Sequence, residues 1–510
     1  MIRSVRNVAR LFEIARTLAR HDALFPLEML GAAAPLVALA KAMSKRSVPG
    51  RPGERLAAAL QELGPSFIKI GQALSVRSDL VGEEIADDLS GLQDRLPPFP
   101  GLRAREIIAE ELGAPMDALF AEFDDKPIAA ASIAQVHCAL TGDGDEVAVK
   151  VLRPGIEEAF ARDLDLLTWV AEIAERTQPR LRRLKPLETV RTLRDSVLIE
   201  MDLRLEAAAA EELAENFAGD DTFHVPKVDW RRTARRVLTL ERIAGIPIDE
   251  RDEIVAAGHD PEQVVKAAAA AFFKQVFRDG FFHADQHPGN LFIQPDGSIM
   301  AVDFGIMGRL DKPTRHYLGE MLLGFLNRDY KRVAEVHFEA GWVPAHKSVQ
   351  AFNQACRSIA EPILDKPQSE ISIARLLRQL FHVTETFEME TQPQLLLLQK
   401  TMLVAEGVGR TLYPDMNMWF LAKPLIEDWV EEHIGPDVRL RETVEQVADG
   451  LRRLPKMVSD LEKGGSALAR GEVKLHPETL RALSGGAKRP IPMGVWAAVI
   501  LFLFLVLLIF

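Results

Sequence analysis

The chain has 510 residues, of which 47% are hydrophobic, enough to bury a substantial core and long enough to divide into two or three structural units. A net charge of -12 argues against nucleic acid as the main partner. The two cysteines, Cys138 and Cys356, have no metal or redox spacing, which excludes a disulfide framework and fits a reducing compartment.

The first fifty residues carry Arg3, Arg6, Arg10, Arg16, Arg20, Lys41, Lys45 and Arg46 against only Glu13, Asp22 and Glu28. Such a basic start can lie against an anionic lipid surface or form a solvated helix face. No uninterrupted apolar run followed by a cleavage site marks it as a signal peptide. Leu11, Ile14 and Leu18 recur at helical spacing, and Ser47 to Pro52 reads as a linker. A helix is predicted from Gly53 to Leu63, a stop at Gly64-Pro65, and a restart in SFIKIGQALSVRSDL. Lys69 and Gln72 share a face there, with Gly71 between them permitting close packing. By itself Lys69 reads as either a surface lysine or a ligand, the former being the commoner case. The segment LQDRLPP ends at Pro97-Pro98, and Arg103 to Leu112 is a further helix closed by Gly113.

Ala129, Ala130, Ala131 and Ser132 then precede a partly apolar run to Leu140, and Thr141 to Gly144 turns the chain into EVAVKVLRPG. Lys150 sits in that second strand among Val147, Val149 and Val151. Strand, small-residue loop, strand and lysine is the pattern of a kinase amino lobe, whose lysine contacts nucleotide phosphates and needs a carboxylate to hold it. Alanines stand where glycines ordinarily allow close backbone approach, and no Walker-type loop occurs elsewhere.

Long helices are predicted from Ile156 to Glu175 and from Pro186 to Phe217, the second carrying Glu200, Asp202 and Glu206. On one continuous helix 202 and 206 share a face and 200 points away, so two lysines could be served, with Glu206 chosen for Lys150. His224 to Val228 and Arg236 to Glu241 read as the remaining small-lobe strands. Glu241 to Gly245 resembles a hinge whose backbone could hydrogen-bond an adenine. A helix from Pro261 to Arg278 follows.

The stretch from Phe281 to Gly305 carries the densest chemistry. Leu291 to Ile293 and Ile299 to Val302 flank the turn Pro295-Asp296-Gly297-Ser298, which predicts a hairpin. Asp285, then Asn290 five residues on, then Asp303 thirteen further in an Asp-Phe-Gly, form the metal and nucleotide half of a kinase-like site. A second reading takes His283, Asp285 and His287 as a metal cluster. No Ala-Pro-Glu follows, so a peptide platform is absent or rebuilt. Residues 350 to 470 read as core helices without identifiable chemistry. Met493 to Phe510 is eighteen uncharged residues, roughly 27 Å as a helix, preceded by Lys488 and Arg489. It is expected to be a transmembrane helix tethering a large cytoplasmic domain to a membrane.

With these pieces together the sequence closely resembles the UbiB/ABC1/ADCK family of atypical kinase-like proteins, which support ubiquinone biosynthesis. The matching segments are KIGQ at Lys69 to Gln72, LQDRLPP, AAASIAQVH, VAVKVLRPG, EMD at Glu200 to Asp202 with Glu206 beyond, HADQHPGN and VDFG. The resemblance implies that Lys69 pairs with Glu200 above the active site and shuts out peptide substrates. It implies a Lys150–Glu206 pair, Asn290 and Asp303 as magnesium ligands, and Asp285 in the catalytic-loop position. It makes Ala129 to Gln135, including Ile133 and Ala134, the nucleotide loop. ATP and Mg2+ are the implied cofactors, and polyprenyl-phenol or quinone intermediates, membrane lipid and other ubiquinone biosynthetic enzymes the implied partners.

The expected fold is α+β, a strongly helical, two-lobed protein-kinase-like fold with an N-terminal helical extension and a C-terminal transmembrane helix. Its expected parts are a basic segment at 1–52, a helical extension at 53–126, an amino lobe at 127–244, a carboxy lobe at 245–345, helices at 346–470, a linker at 471–492 and the span at 493–510. The expected activity is that of an atypical kinase or ATPase, and its rivals are a conventional protein kinase and a nucleotide-gated scaffold.

Overall fold

The computed structural model describes residues 2–23, 49–75, 82–90, 92, 97–177, 186–364, 379–380, 382–384, 386–389, 392–414 and 418–434. They fall into two compact units, one running to Ile246 and including Asn290–Ile306, the other formed by Pro247–Gly289 and the described residues from Met307 to Ile434.

The first unit begins with helices α1 (Ile2–Arg20), α2 (Pro52–Leu63), α3 (Pro65–Ser75) and α4 (Glu83–Ser90). Ile14 and Leu18 pack with Leu56, Leu60, Phe67 and Ile68 in one buried cluster. Gly64 takes a positive φ of 104° between α2 and α3, and Pro65 opens the next helix, where its missing N–H costs nothing. Gly71 allows α3 to approach closely, because a Cβ there would lie 2.5 Å from Leu92 and 2.8 Å from Leu60. Three basic residues of α1 form ion pairs within this unit. Arg10 is buried against Asp163 at 2.9 Å and donates to the Leu63 carbonyl, Arg6 meets Asp165, and Arg20 pairs with Glu62.

After α5 (Gly101–Leu112) and α6 (Met116–Leu119) come strands β1 (Glu122–Phe123), β2 (Ala129–Ala130), β3 (Ala134–Leu140) and β4 (Glu146–Leu152). Further on, β5 (Phe223–His224) precedes β6 (Val237–Glu241). The main sheet has the order β1-β3-β4-β6, with β2 also on β3. Lys150 is opposite Val136 on one side and Leu238 on the other, so β4 is a central strand. Val147, Val149 and Val151 turn to the core shared with Ala104, Ile107 and Ile108 of α5. Each buried valine contributes roughly 1.5–3 kcal/mol, and a one-residue slip would send Lys150 into that core. Apolar alternation therefore fixes the face on which the lysine emerges.

Helices α7 (Ile156–Thr177), α8 (Pro186–Glu200) and α9 (Leu203–Asn216) connect β4 to β5. The expected single helix from Pro186 to Phe217 is interrupted, because Asp202 leaves helical geometry and caps α9 by accepting from the Arg204 N–H. Asp202 and Glu206 thus do not share a continuous helix face. Strand β5 also departs from expectation, for it pairs in parallel with the later hairpin rather than joining the main sheet.

Strand β7 (Ile246–Pro247) leads out of the first unit. In the second unit α10 (Arg251–Ala256) and α11 (Pro261–Phe273) are followed by a π-helical turn, Lys274–Asp279, which ends at left-handed Gly280. Strand β8 (Phe281–His283) then pairs antiparallel with β11 (Met307–Arg309). Between these in sequence lie the first unit's β9 (Leu291–Ile293) and β10 (Ile299–Ala301), the predicted hairpin, in register from Ile293–Ile299 to Leu291–Ala301. The second unit continues through α12 (Lys312–Leu326), α13 (Tyr330–Glu339), α14 (Val349–Ala360), α15 (Pro393–Leu412) and α16 (Met418–Ile434). Tyr330, Val333, Phe352 and Cys356 form a core there, and burial pushes the Cys356 thiol up to about 12.

The expected transmembrane helix is corrected. Among the described residues no helix is long and apolar enough to cross a membrane, and 493–510 lies outside those residues. The long helices α1, α7 and α15 have 19, 22 and 20 residues, but all carry charge, such as Lys400, Glu406 and Arg410 in α15. The supported fold is the helical and stranded kinase-like arrangement of the described residues, and the membrane placement that depended on the expected helix is withdrawn.

Candidate active site

In the first unit, central strand β4 delivers the Lys150 ammonium to two carboxylates, 2.7 Å from Glu206 Oε1 and 2.9 Å from Asp303 Oδ1. The two acids differ. Glu206 comes from the first turn of α9 and is buried, whereas Asp303 follows β10 and is half exposed. Burial would discharge the lysine, but Asp303 and Glu206 together outweigh it and raise its pKa above the ordinary lysine value. Glu206 is pushed up to about 7, first by burial and then by the Asp303 charge, with Lys150 opposing both. One cation between two acids leaves an excess negative charge, and the buried carboxyl bears the cost.

The break at Met201–Asp202 gives Glu200 a direction of its own. From the end of α8 its carboxylate meets Lys69 of α3 at 3.1 Å, each side chain about one-fifth exposed. Gln72, one turn on, donates to the Leu92 carbonyl at 3.5 Å. The structure therefore brings together both predicted lysine–glutamate pairs.

Asn290 and Asp303 stand at the open end of the β9–β10 hairpin. The Val302 N–H donates to the Asn290 carbonyl, which closes the ladder beside Asp303. At the other end Asp296 accepts from the N–H and hydroxyl of Ser298, and Gly297 adopts φ +87°, as the turn chemistry requires. Asp303 itself has φ +62°, a left-handed conformation that Asp tolerates better than most residues. An amide oxygen and a carboxylate are hard donors that suit Mg2+, which binds through one or two protein ligands and takes the rest from phosphate and water. The donor set fits the ion. Among the described residues no group of three or more His, Cys, Asp or Glu side chains is placed to hold a metal, which removes the His283, Asp285 and His287 reading.

The alanine-rich segment is a tight β2–β3 turn, closed by the Ala131 N–H on the Ala134 carbonyl. Arg153, just beyond β4, secures it, its side chain donating to the Ala131 carbonyl and its N–H to that of Ile133. Ser132 is buried. Gln135 is buried as well, and its amide both donates to and accepts from the Phe99 backbone while touching His137. Burial lowers the His137 pKa, and the other ring nitrogen of His137 lies 2.8 Å from the Asp124 carbonyl. Gln135 therefore ties the segment after Pro97-Pro98 to β3. Glu241 is similarly committed, because its N–H donates to the Lys227 carbonyl and its carboxylate accepts from the Lys227 N–H.

Asp285 belongs to the second unit. Its N–H lies 3.3 Å from His283 Nδ1, and the His283 N–H donates to Gln275 Oε1 from the π turn. Two residues that the sequence reading passed over meet this loop from α15. Lys400 Nζ is 3.9 Å from Asp285 Oδ1, and the Thr401 hydroxyl is 3.0 Å from the Ala284 carbonyl. Their region reads as core in sequence, and only the lone cation in LLLLQKTMLV hinted otherwise.

A central-strand lysine between a buried and a half-exposed carboxylate, with Asn and Asp on an adjoining hairpin, is a kinase-like arrangement of side chains. A family model described as the ABC1 atypical kinase-like domain matches residues 91–337, and one described as the UbiB helical domain matches 356–417. Proteins named "Probable protein kinase UbiB" are similar over most of their length. That of Marinobacter nauticus is 44% identical, over 79% of this chain and 75% of its own. The Pseudomonas putida GB-1 protein is 43% identical, over 89% and 86%, and the Aeromonas salmonicida protein 45% identical, over 80% and 76%. The chain belongs to the UbiB/ABC1 family of atypical kinase-like proteins. The solved structure titled "The complex structure of Rv3197-erythromycin from Mycobacterium tuberculosis" aligns at 28% identity and a TM-score of 0.47, covering 74% of this chain and 94% of that one.

Proposed function

We propose that the chain is an ATP-dependent atypical kinase or ATPase that uses Mg-ATP to support ubiquinone biosynthesis, acting on or mobilising polyprenyl-phenol or quinone intermediates alongside other enzymes of that pathway. The observation that carries the reading is Lys150 held at 2.7 and 2.9 Å by Glu206 and Asp303. Glu206 is the lysine's buried, permanent partner, so Lys150 stays charged and aimed when phosphate competes for the Asp303 contact. Ala129 to Ala134 form the turn over the nucleotide, with Arg153 fixing its carbonyls. Gln135 acts by holding that turn to Phe99, and residues near Glu241 border the base. Asn290 and Asp303 hold Mg2+, which neutralises phosphate charge when bound. Asp285 orients the acceptor, either a phenolic hydroxyl or water, and the Lys69–Glu200 pair restricts which acceptors enter.

Asp303→Asn separates this reading from a nucleotide-gated scaffold. Full chain carrying it is expected to lose at least a hundredfold in Mg-ATP turnover, with accumulation of early quinone intermediates in cells. Normal quinone synthesis by a folded, turnover-deficient Asp303→Asn protein would favour the scaffold instead. The relatives' printed name keeps protein phosphorylation as a second reading, tested by whether a peptide accepts phosphate in a manner lost with Asp285→Asn.

A further inference from the structure

In phosphoryl transfer the protein contributes mainly position and charge. The loop Asp285-Gln286-His287-Pro288-Gly289-Asn290 contains no lysine or arginine. The second unit nevertheless brings a cation to its first residue. Lys400 of α15 stands 3.9 Å from Asp285 Oδ1, with both side chains about one-third exposed or less. That separation exceeds hydrogen-bond reach, so the attraction is Coulombic.

The placement is built rather than incidental. The next residue, Thr401, is fully buried, and its hydroxyl lies 3.0 Å from the Ala284 carbonyl and 2.9 Å from the Leu397 carbonyl one turn back on α15. The helix is therefore clamped to the residue before Asp285, and Lys400, adjacent on the helix, is presented to the carboxylate. Gln275, in the π turn that ends α11, accepts the His283 N–H at 2.9 Å. π turns inside helices often mark functional positions. Three consecutive residues, His283, Ala284 and Asp285, are thus each met by a different side chain.

We propose that Lys400 is a positioning residue for the reaction, keeping the Asp285 carboxylate aimed, so that the helix matched by the UbiB helical model completes the catalytic loop. This rests on the kinase-like reading above. Because Lys400 acts through Asp285, while the residues assigned to ATP lie elsewhere, its removal is expected to slow turnover without weakening nucleotide.

The test measures phosphate release from Mg-ATP by the full chain. Lys400→Met is expected to lower kcat about tenfold and leave KM for ATP within twofold, and Lys400→Arg to recover at least half of the loss. A kcat within twofold of the parent, a KM that rises in step, or an arginine variant as impaired as the methionine one would each overturn the inference. If Lys400→Met loses its cooperative melt, Lys400→Gln is judged by the same criteria. A parent chain with no Mg-ATP turnover would overturn the kinase reading and this inference with it, whereas an active parent with a silent Lys400→Met overturns the inference alone.

Discussion

The pairs Lys150–Glu206 and Lys69–Glu200 use acids six residues apart in one unit, yet their surroundings differ in kind. Lys150 reaches out of a central strand into a buried site with a second carboxylate, and Glu206 titrates near 7. Lys69 and Glu200 join two helices at 3.1 Å with water still reaching both. A buried pair loses about 3–5 kcal/mol when one partner is removed and exposed pairs contribute about 0–1 kcal/mol, and Lys69–Glu200, part-buried, falls between the two. The same residue types therefore act as a fixed electrostatic centre in one place and as an adjustable contact in the other.

The strongest way to break this comparison is Lys150→Met. Nucleotide affinity is expected to fall about a hundredfold, or about 2.7 kcal/mol, in calorimetric titration with Mg-ATP. The stability loss should stay below the usual figure for a broken buried pair, because Glu206 can take up a proton. Parent-like affinity would remove Lys150 from the site.

A second test uses pH. Glu206 titrates at about 7 in the folded protein against an ordinary 4.5, so between those values the native state holds a proton that the unfolded state has released. Its contribution to stability is complete below pH 4.5 and is lost as pH rises through 7. Urea unfolding of Glu206→Gln should therefore lack this decline, and its stability relative to the parent should rise by up to about 3 kcal/mol between pH 4.5 and 8. Parallel profiles would mean that Lys150 holds Glu206 ionised throughout.

The smallest effect is expected at the other pair. Lys69→Met should change stability by about 1–2 kcal/mol, between the exposed and buried cases, and leave Mg-ATP affinity within twofold, while altering which acceptors support turnover. A large stability loss would erase the contrast between the two regions.

Much of this was legible because local rules and tertiary demands agree. Alternating valines announce the face from which Lys150 emerges, and Pro295 to Ser298 announce the hairpin that brings Asn290 and Asp303 to one end. The resemblance supplied the Lys69–Glu200 pair, which periodicity alone did not. Other features stayed hidden for physical reasons. Met201-Asp202 contains neither glycine nor proline, so a helix break produced by an aspartate cap looked like continuous helix. Phe223–His224 is too short to announce its partner, and it pairs with β10 instead of the main sheet. Thr401 meets Ala284 across 117 residues of sequence, beyond any local pattern.

The interruption between α8 and α9 has one more consequence. On an unbroken helix, inserting a residue upstream would turn every later side chain by about 100°. Here the chain resets its angular phase at Asp202, where the cap begins a new count for Glu206. A residue inserted in α8 would swing Glu200 away from Lys69 while Glu206 kept its bearing on Lys150. The two acids can therefore diverge independently of each other.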